Sequence, residues 1–122
     1  MKKFDVAVIG GGIIGSSIAY FLARSNKVGS VAVIEPDPTY RLAATPQGAG
    51  GVRQIFSLPE NIWMSRYSNR FYSDFRKTMT VKGYSAEINF CHQGYLFLAG
   101  TRGAKQLEDN YRLQLKEGVQ VE

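Results

Sequence analysis

Val6-Ala7-Val8-Ile9-Gly10-Gly11-Gly12-Ile13-Ile14-Gly15, with the tetrapeptide repeated at Val31-Ala32-Val33-Ile34 and closed by Glu35, decides the fold of this chain. Short, all-apolar runs rich in β-branched residues fit parallel strands buried on both faces. Between the two copies lies one helix's worth of sequence. Ile14, Ile18, Phe21 and Leu22 recur there at helical spacing, and Asn26, Lys27 and Gly29 suit a helix end. Strand, helix and strand in that order give a βαβ unit with a right-handed crossover. The expected class is therefore α/β, with a Rossmann-type unit at its front.

The glycines match G-x-G-x-x-G, a pattern that is weak alone. Here it follows a buried-strand pattern, opens a helix pattern, and is followed about twenty residues on by an acid at the end of the second strand. Each position has a physical task. Gly10 permits the tight turn, Gly12 leaves room for a pyrophosphate to approach the backbone, and Gly15 lets helix and strand pack closely. The pyrophosphate would rest on free N–H groups at the positive end of the helix dipole. Glu35 would accept hydrogen bonds from the adenosine ribose, and its charge disfavours a 2′-phosphate, which argues against NADP. The candidate cofactor-binding residues of this part are Gly10, Gly11, Gly12, Ile13, Ile14, Gly15, Glu35 and Pro36. Spacing does not separate FAD from NAD, and a glycine-rich turn in some other α/β protein is the plain alternative.

Beyond Glu35 the pattern changes. Residues 36–58 have no clear period and carry Pro36, Pro38, Pro46, Gly48, Gly50 and Gly51, which break regular elements. A stretch of that length without structure is usually functional. Pro59 in a first turn then starts a helix in which Trp63, Tyr67, Phe71 and Phe75 follow at steps of four, flanked by Met64 and Met79. Such a stripe is expected to face a core, with the intervening arginines in water. Residues 83–99 read as β structure, from the alternation around Ile88 and Phe90 and from Tyr95-Leu96-Phe97-Leu98 after Gly94. Thr101 is expected to cap a last helix with Leu107, Tyr111 and Leu115 on its apolar side, ended by Gly118. Val119-Gln120-Val121 reads as the opening of another strand, so the sequence has the look of an amino-terminal fragment. The expected division is 1–80 for the nucleotide-binding segment and 81–122 for the start of a mixed or antiparallel substrate domain.

Composition is that of a globular protein: 122 residues, 44% hydrophobic and 20% charged. The formal charge of +5 is scattered rather than clustered, which argues against nucleic-acid binding and suits an anionic cofactor. The uncharged run over residues 6–23, preceded by Lys2 and Lys3, imitates a signal peptide or membrane span. Asp5 at its start and three consecutive glycines within it argue against both, so no membrane span is expected. The lone Cys91 excludes an internal disulfide and a cysteine-based zinc site, and no metal is expected. The expectation is a soluble, cytoplasmic protein, or a mitochondrial one in a eukaryote.

The stretch from Asp5 to Ala23, followed by Val31-Ala-Val-Ile-Glu35, resembles the amino terminus of the D-amino acid oxidase and sarcosine oxidase (DAO) family of FAD-dependent oxidoreductases. Thr45-Pro-Gln-Gly-Ala-Gly-Gly-Val-Arg-Gln54 and Phe56-Ser-Leu-Pro-Glu-Asn61 are similar to the family's FAD-dependent oxidoreductase domain-containing branch, which includes a mitochondrial member needed for respiratory-complex assembly. Gly94-Tyr-Leu-Phe-Leu98 resembles the family's first substrate-domain strand. The resemblance implies FAD as cofactor and hydride transfer from a secondary amine or amino acid, with oxygen or an electron-transfer partner taking the electrons. It implies that Thr45, Gly50 and Gly51 lie near the pyrophosphate or ring system, and that Arg53 is an electrostatic partner of the flavin. The competing reading of Arg53 is a surface arginine paired with a carboxylate. Some relatives carry a second arginine where this chain has Phe56, and some carry a flavin-linking histidine in the loop over residues 44–54, where this chain has none.

Cys91 and His92, adjacent on an expected strand, would point to opposite faces, so they do not form a catalytic pair. His92 is read as structural rather than as a general base, and Cys91 as a small buried or half-buried side chain. Two alternatives to an enzyme stay open. One is a non-catalytic assembly factor or inactive remnant that works through protein contacts on the aromatic helix; the other is an NAD-binding Rossmann protein.

Overall fold

The computed structural model describes residues 2–122 and comprises two compact units, Met1–Gly51 and Val52–Glu122. In the first, strand β1 (Val6–Ile9) pairs in parallel with β2 (Val31–Ile34), in the register Val6 with Val31 through Ile9 with Ile34, and helix α1 (Ile13–Arg24) crosses between them. This is the Rossmann-type βαβ unit, and a single turn of helix, α2 (Ala44–Gln47), follows it. The strands are clamped where they begin. Asp5 Oδ2 accepts the N–H of Ser30 at 2.7 Å and its hydroxyl at 2.8 Å, while the Ser30 carbonyl accepts the N–H groups of Asp5 and Val6.

Helix α1 packs on both strands, but not by the expected face. Ile14, Ile18 and Phe21 are exposed, whereas Gly15, Ala19 and Leu22 are half-buried. The reason is distance: a Cβ on Gly15 would stand 1.9 Å from the Gly10 carbonyl oxygen and 3.2 Å from Val8 Cγ1. Only small side chains fit against a strand that close, so the bulky residues of the same helix turn away. Past Arg24 the chain leaves the helix through Asn26, whose φ of 54° is the left-handed conformation typical of a residue just beyond a helix end.

The second unit holds α3 (Pro59–Ser73), α4 (Phe75–Met79) and α5 (Ala104–Lys116), with α3 packed on both of the others. Pro59 starts α3 in its first turn as expected, but the expected single helix is interrupted at Asp74, where φ −97° and ψ 10° leave the helical region. A short polar side chain that competes for backbone bonds suits such a break. Phe71 and Phe75 meet edge-on across it, with ring centroids 5.8 Å apart. The buried side of α3 is set by Ile62 and Asn69, while Trp63 and Tyr67 are 54% and 57% exposed, so the front of the aromatic stripe faces out. Likewise Gln114 rather than Leu107, Tyr111 or Leu115 is the buried residue of α5.

Gly103, not Thr101, stands at the N-cap of α5. Its C-terminus is closed by Gly118 at φ 74°, with Gly118 N–H donating to the Leu115 carbonyl and Val119 N–H to that of Gln114, a Schellman motif. Val119, just past it, is buried with Ile62. From α3, Trp63 Nε1–H donates to Glu117 Oε2 at 2.6 Å and Arg66 donates to the Glu117 carbonyl. The β structure expected over residues 83–99 is reduced to one antiparallel bridge, Val81 with Tyr84, around Gly83. A strand exists only through its partner's hydrogen bonds, and among the described residues none pairs with residues 85–99. No helix of the described residues is long and apolar enough to cross a membrane.

Candidate functional site

The turn over residues 10–15 is built by backbone bonds before any ligand is considered. Gly10 adopts φ 91°, open to glycine but strained for other residues, and its N–H donates to the Ile34 carbonyl at 2.8 Å, extending the ladder into the turn. Gly11 is buried, and its N–H donates to Glu35 Oε2 at 2.6 Å. The Ser16 hydroxyl holds the Gly11 carbonyl at 2.6 Å, and Ser16 N–H closes the first helical bond onto the Gly12 carbonyl at 2.9 Å.

What these bonds leave over defines the site. The helix has no side-chain cap at Gly12, and among the described residues the N–H groups of Gly12, Ile13, Ile14 and Gly15 have no protein acceptor. Unsatisfied amides at the positive end of a helix are a standing anion site. Around Gly12 a Cβ would meet nothing within 4 Å, so the space beside Gly12 is open.

Glu35, half-buried at the end of β2, sits directly beside the turn. Besides Gly11 it accepts the N–H of Asp37 through Oε1 at 2.9 Å, so both oxygens are oriented while acceptor sites remain on each. Pro36, which has no N–H to offer, separates the two. Asp37 in turn accepts Thr39 Oγ1–H at 2.5 Å and Thr39 N–H at 3.0 Å, and those bonds, the hydroxyl's first, hold its carboxyl below the usual aspartate range. The loop then returns through Tyr40, whose hydroxyl oxygen would lie 3.0 Å from a Cβ on Gly11. Tyr40 was not picked out by sequence patterning; the Asp-Pro-Thr turn before it was the available signal.

The structure thus brings residues 10–15 and Glu35 to one corner. Thr45 lies in α2 and bonds Gly48, and Gly50 has φ 68° with open space about it; no hydrogen bond joins Thr45, Gly50 or Gly51 to the turn among the described residues. Arg53 belongs to the second unit. Among the described residues it forms no ion pair but lies over the Phe56 ring, 5.1 Å from its centroid, a cation–π contact rather than the carboxylate pairing of the competing reading. His92 makes contacts within the fold: Nε2 is 3.2 Å from Ser73 Oγ, and the ring meets Phe90 edge-on. Cys91 is exposed, not buried, since the segment carrying it lies on no sheet.

The family model described as FAD dependent oxidoreductase (DAO) matches residues 5–122. The chain is similar to FAD-dependent oxidoreductase domain-containing protein 1 of Xenopus laevis, 44% identical over 98% of this chain and 25% of the relative. It is similar to the Drosophila melanogaster homolog of that protein, 42% identical over 97% of this chain and 22% of the relative. The Bos taurus protein is 38% identical over 98% and 26%. The chain therefore spans about a quarter of the length of these curated relatives. No solved structure matches it.

Proposed function

Because this chain belongs to the FAD dependent oxidoreductase (DAO) family, whose cofactor is FAD, we propose that residues 10–15 and Glu35 bind the ADP part of that cofactor. The observation that carries the reading is the set of unpartnered amides from Gly12 to Gly15 beside an oriented carboxylate. The amides and the helix dipole would hold the pyrophosphate, and Glu35 the ribose hydroxyls. The open space at Gly12 suits a phosphate approaching the backbone. In this reading residues 1–80 form the nucleotide-binding segment and 81–122 open a substrate domain. Thr45, Gly50 and Gly51 would line the pyrophosphate or ring, and Arg53 would place a cation beside the isoalloxazine.

The parent activity is oxidation of a secondary amine or amino acid. When bound, FAD supplies the hydride acceptor, and oxygen or an electron carrier restores it. The protein's part in this segment is to hold the nucleotide end rigidly so that the reactive end is positioned. A second reading, a factor acting through protein contacts, is favoured by the outward-facing Trp63 and Tyr67.

The test is a titration of the purified chain with FAD, ADP and FMN, followed by flavin fluorescence and thermal shift. FAD and ADP should bind and raise the melting temperature, and FMN should do neither. Failure of both FAD and ADP to bind overturns the flavoprotein reading. In a longer polypeptide carrying this segment, anaerobic N-methyl and D-amino acids should bleach the flavin absorbance; a spectrum unchanged by all of them overturns the amine chemistry.

A further inference from the structure

Tyr40 stands out because its backbone is costly. Its φ of 55° lies in the left-handed region, which a bulky residue adopts only when its surroundings fix it there. Glu35 Oε1 holds Asp37 N–H, the Asp37 carboxylate holds both groups of Thr39, the Asp37 carbonyl accepts Tyr40 N–H at 3.0 Å, and the Tyr40 carbonyl accepts Ala43 N–H at 3.0 Å. The whole loop is thus hung from the carboxylate assigned above to the ribose. Its result is to set the Tyr40 phenol over Gly11. A Cβ at Gly11 would lie 3.0 Å from the Tyr40 hydroxyl oxygen and 3.1 Å from Glu35 Cβ, so phenol and glutamate flank the same point.

Within that corner the two side chains differ in what they offer. The Glu35 carboxylate only accepts, and each of its oxygens already takes one backbone N–H. The Tyr40 hydroxyl both donates and accepts, has no hydrogen-bond partner among the described residues, and belongs to a residue that is 40% exposed. A vicinal diol has two donors and two acceptors. A carboxylate alone satisfies its donors and leaves its oxygens unserved.

We infer that Tyr40 is a second ribose-recognition residue, its phenol donating to a hydroxyl oxygen of the adenosine ribose while Glu35 accepts from the diol. The inference rests on the assignment of this corner to the ADP part of FAD. It makes the loop after β2 a wall of the nucleotide site rather than a connector.

The experiment compares Tyr40→Phe and Tyr40→Gly with the parent chain for binding of ADP, 2′-deoxy-ADP and 3′-deoxy-ADP by isothermal titration calorimetry. The parent should bind ADP more tightly than at least one deoxy analogue. Tyr40→Phe should weaken ADP roughly threefold to tenfold, the range of one neutral hydrogen bond, and leave binding of the analogue that lacks the contacted hydroxyl unchanged. Tyr40→Gly, which suits the positive φ and so keeps the fold, should weaken all three ligands. If the parent binds ADP and Tyr40→Phe binds all three ligands as the parent does, the role of Tyr40 is overturned while the cofactor site stands. If the parent does not bind ADP, both fall.

Discussion

The carboxylate of Glu35 accepts the backbone N–H of Gly11 at 2.6 Å, joining the end of the second strand to the turn that starts the helix after the first. One side chain thus shapes the turn and faces the space assigned to the nucleotide. Glu35→Gln keeps an acceptor for one of the two backbone amides but removes the charge. Affinity for FAD should fall about tenfold or more, because hydrogen bonds to a charged group are worth roughly 1.5–3 kcal/mol. Equilibrium dialysis of parent and variant checks this, and equal affinities would remove Glu35 from the site.

Two glycines of the turn should separate folding from binding. Gly15→Ala forces a methyl to 1.9 Å from the Gly10 carbonyl oxygen, a backbone atom that cannot swing aside. It should destabilise the chain by about 1–3 kcal/mol, the usual cost of overpacking, read as a lower urea midpoint. Gly12→Ala meets nothing within 4 Å, and its φ of −61° suits any residue. Its urea midpoint should match or exceed the parent's, while FAD binding weakens because the methyl occupies the open space beside Gly12 that the proposal gives to a phosphate.

Gly118→Ala tests the cap of the last helix. The φ of 74° disfavours a side chain there, and the added methyl would stand 3.1 Å from Arg66 Nη1. A loss of about 1 kcal/mol is expected from the backbone alone. Because Trp63 is bonded to the adjacent Glu117, its fluorescence should report the loosening, and an unchanged denaturation curve would count against the cap.

Acid should loosen the first unit through Asp5. Its carboxyl is held below the usual 3.8 chiefly by the Ser30 hydroxyl, with the Ser30 N–H next. A folded-state value lower than the unfolded one means that the stabilisation is complete above the ordinary value and is lost as pH falls through the folded one. Melting temperature should therefore decline at pH below 3.8 in the parent, and Asp5→Asn should show a shallower decline. The side chain is exposed, so the effect is small. Carbon-detected NMR titration of the Asp5 carboxyl gives the direct check, with a midpoint at or above the ordinary value counting against it.

Local chemistry was readable where local constraints decide the structure. Residues 10–15 and Glu35 could be placed from glycine sterics and spacing, and the structure puts them together because a turn, a strand end and a helix start leave one solution. The faces of the helices were harder. Ile14 and Ile18 look like core residues by spacing, yet the 1.9 Å approach at Gly15 gives that side of α1 to small residues. On α3 the aromatic stripe is the most apolar line, but the face turned inward is the one where Ile62 lies, which the helix's own period does not specify. Residues 83–99 failed for a related reason: alternation records how a strand would face once paired, not whether a partner is there. Tyr40 was missed because a positive φ at a tyrosine has no compositional signature.

The segment Tyr95-Leu96-Phe97-Leu98 has practical weight of its own. Leu96 and Leu98 are 84% and 87% exposed, and among the described residues no hydrogen bond reaches the backbone of residues 93–99. An uncharged apolar ribbon with open amides and carbonyls is a template for fibril growth. Concentrated solutions of this chain should seed amyloid unless that ribbon is interrupted by a lysine or proline.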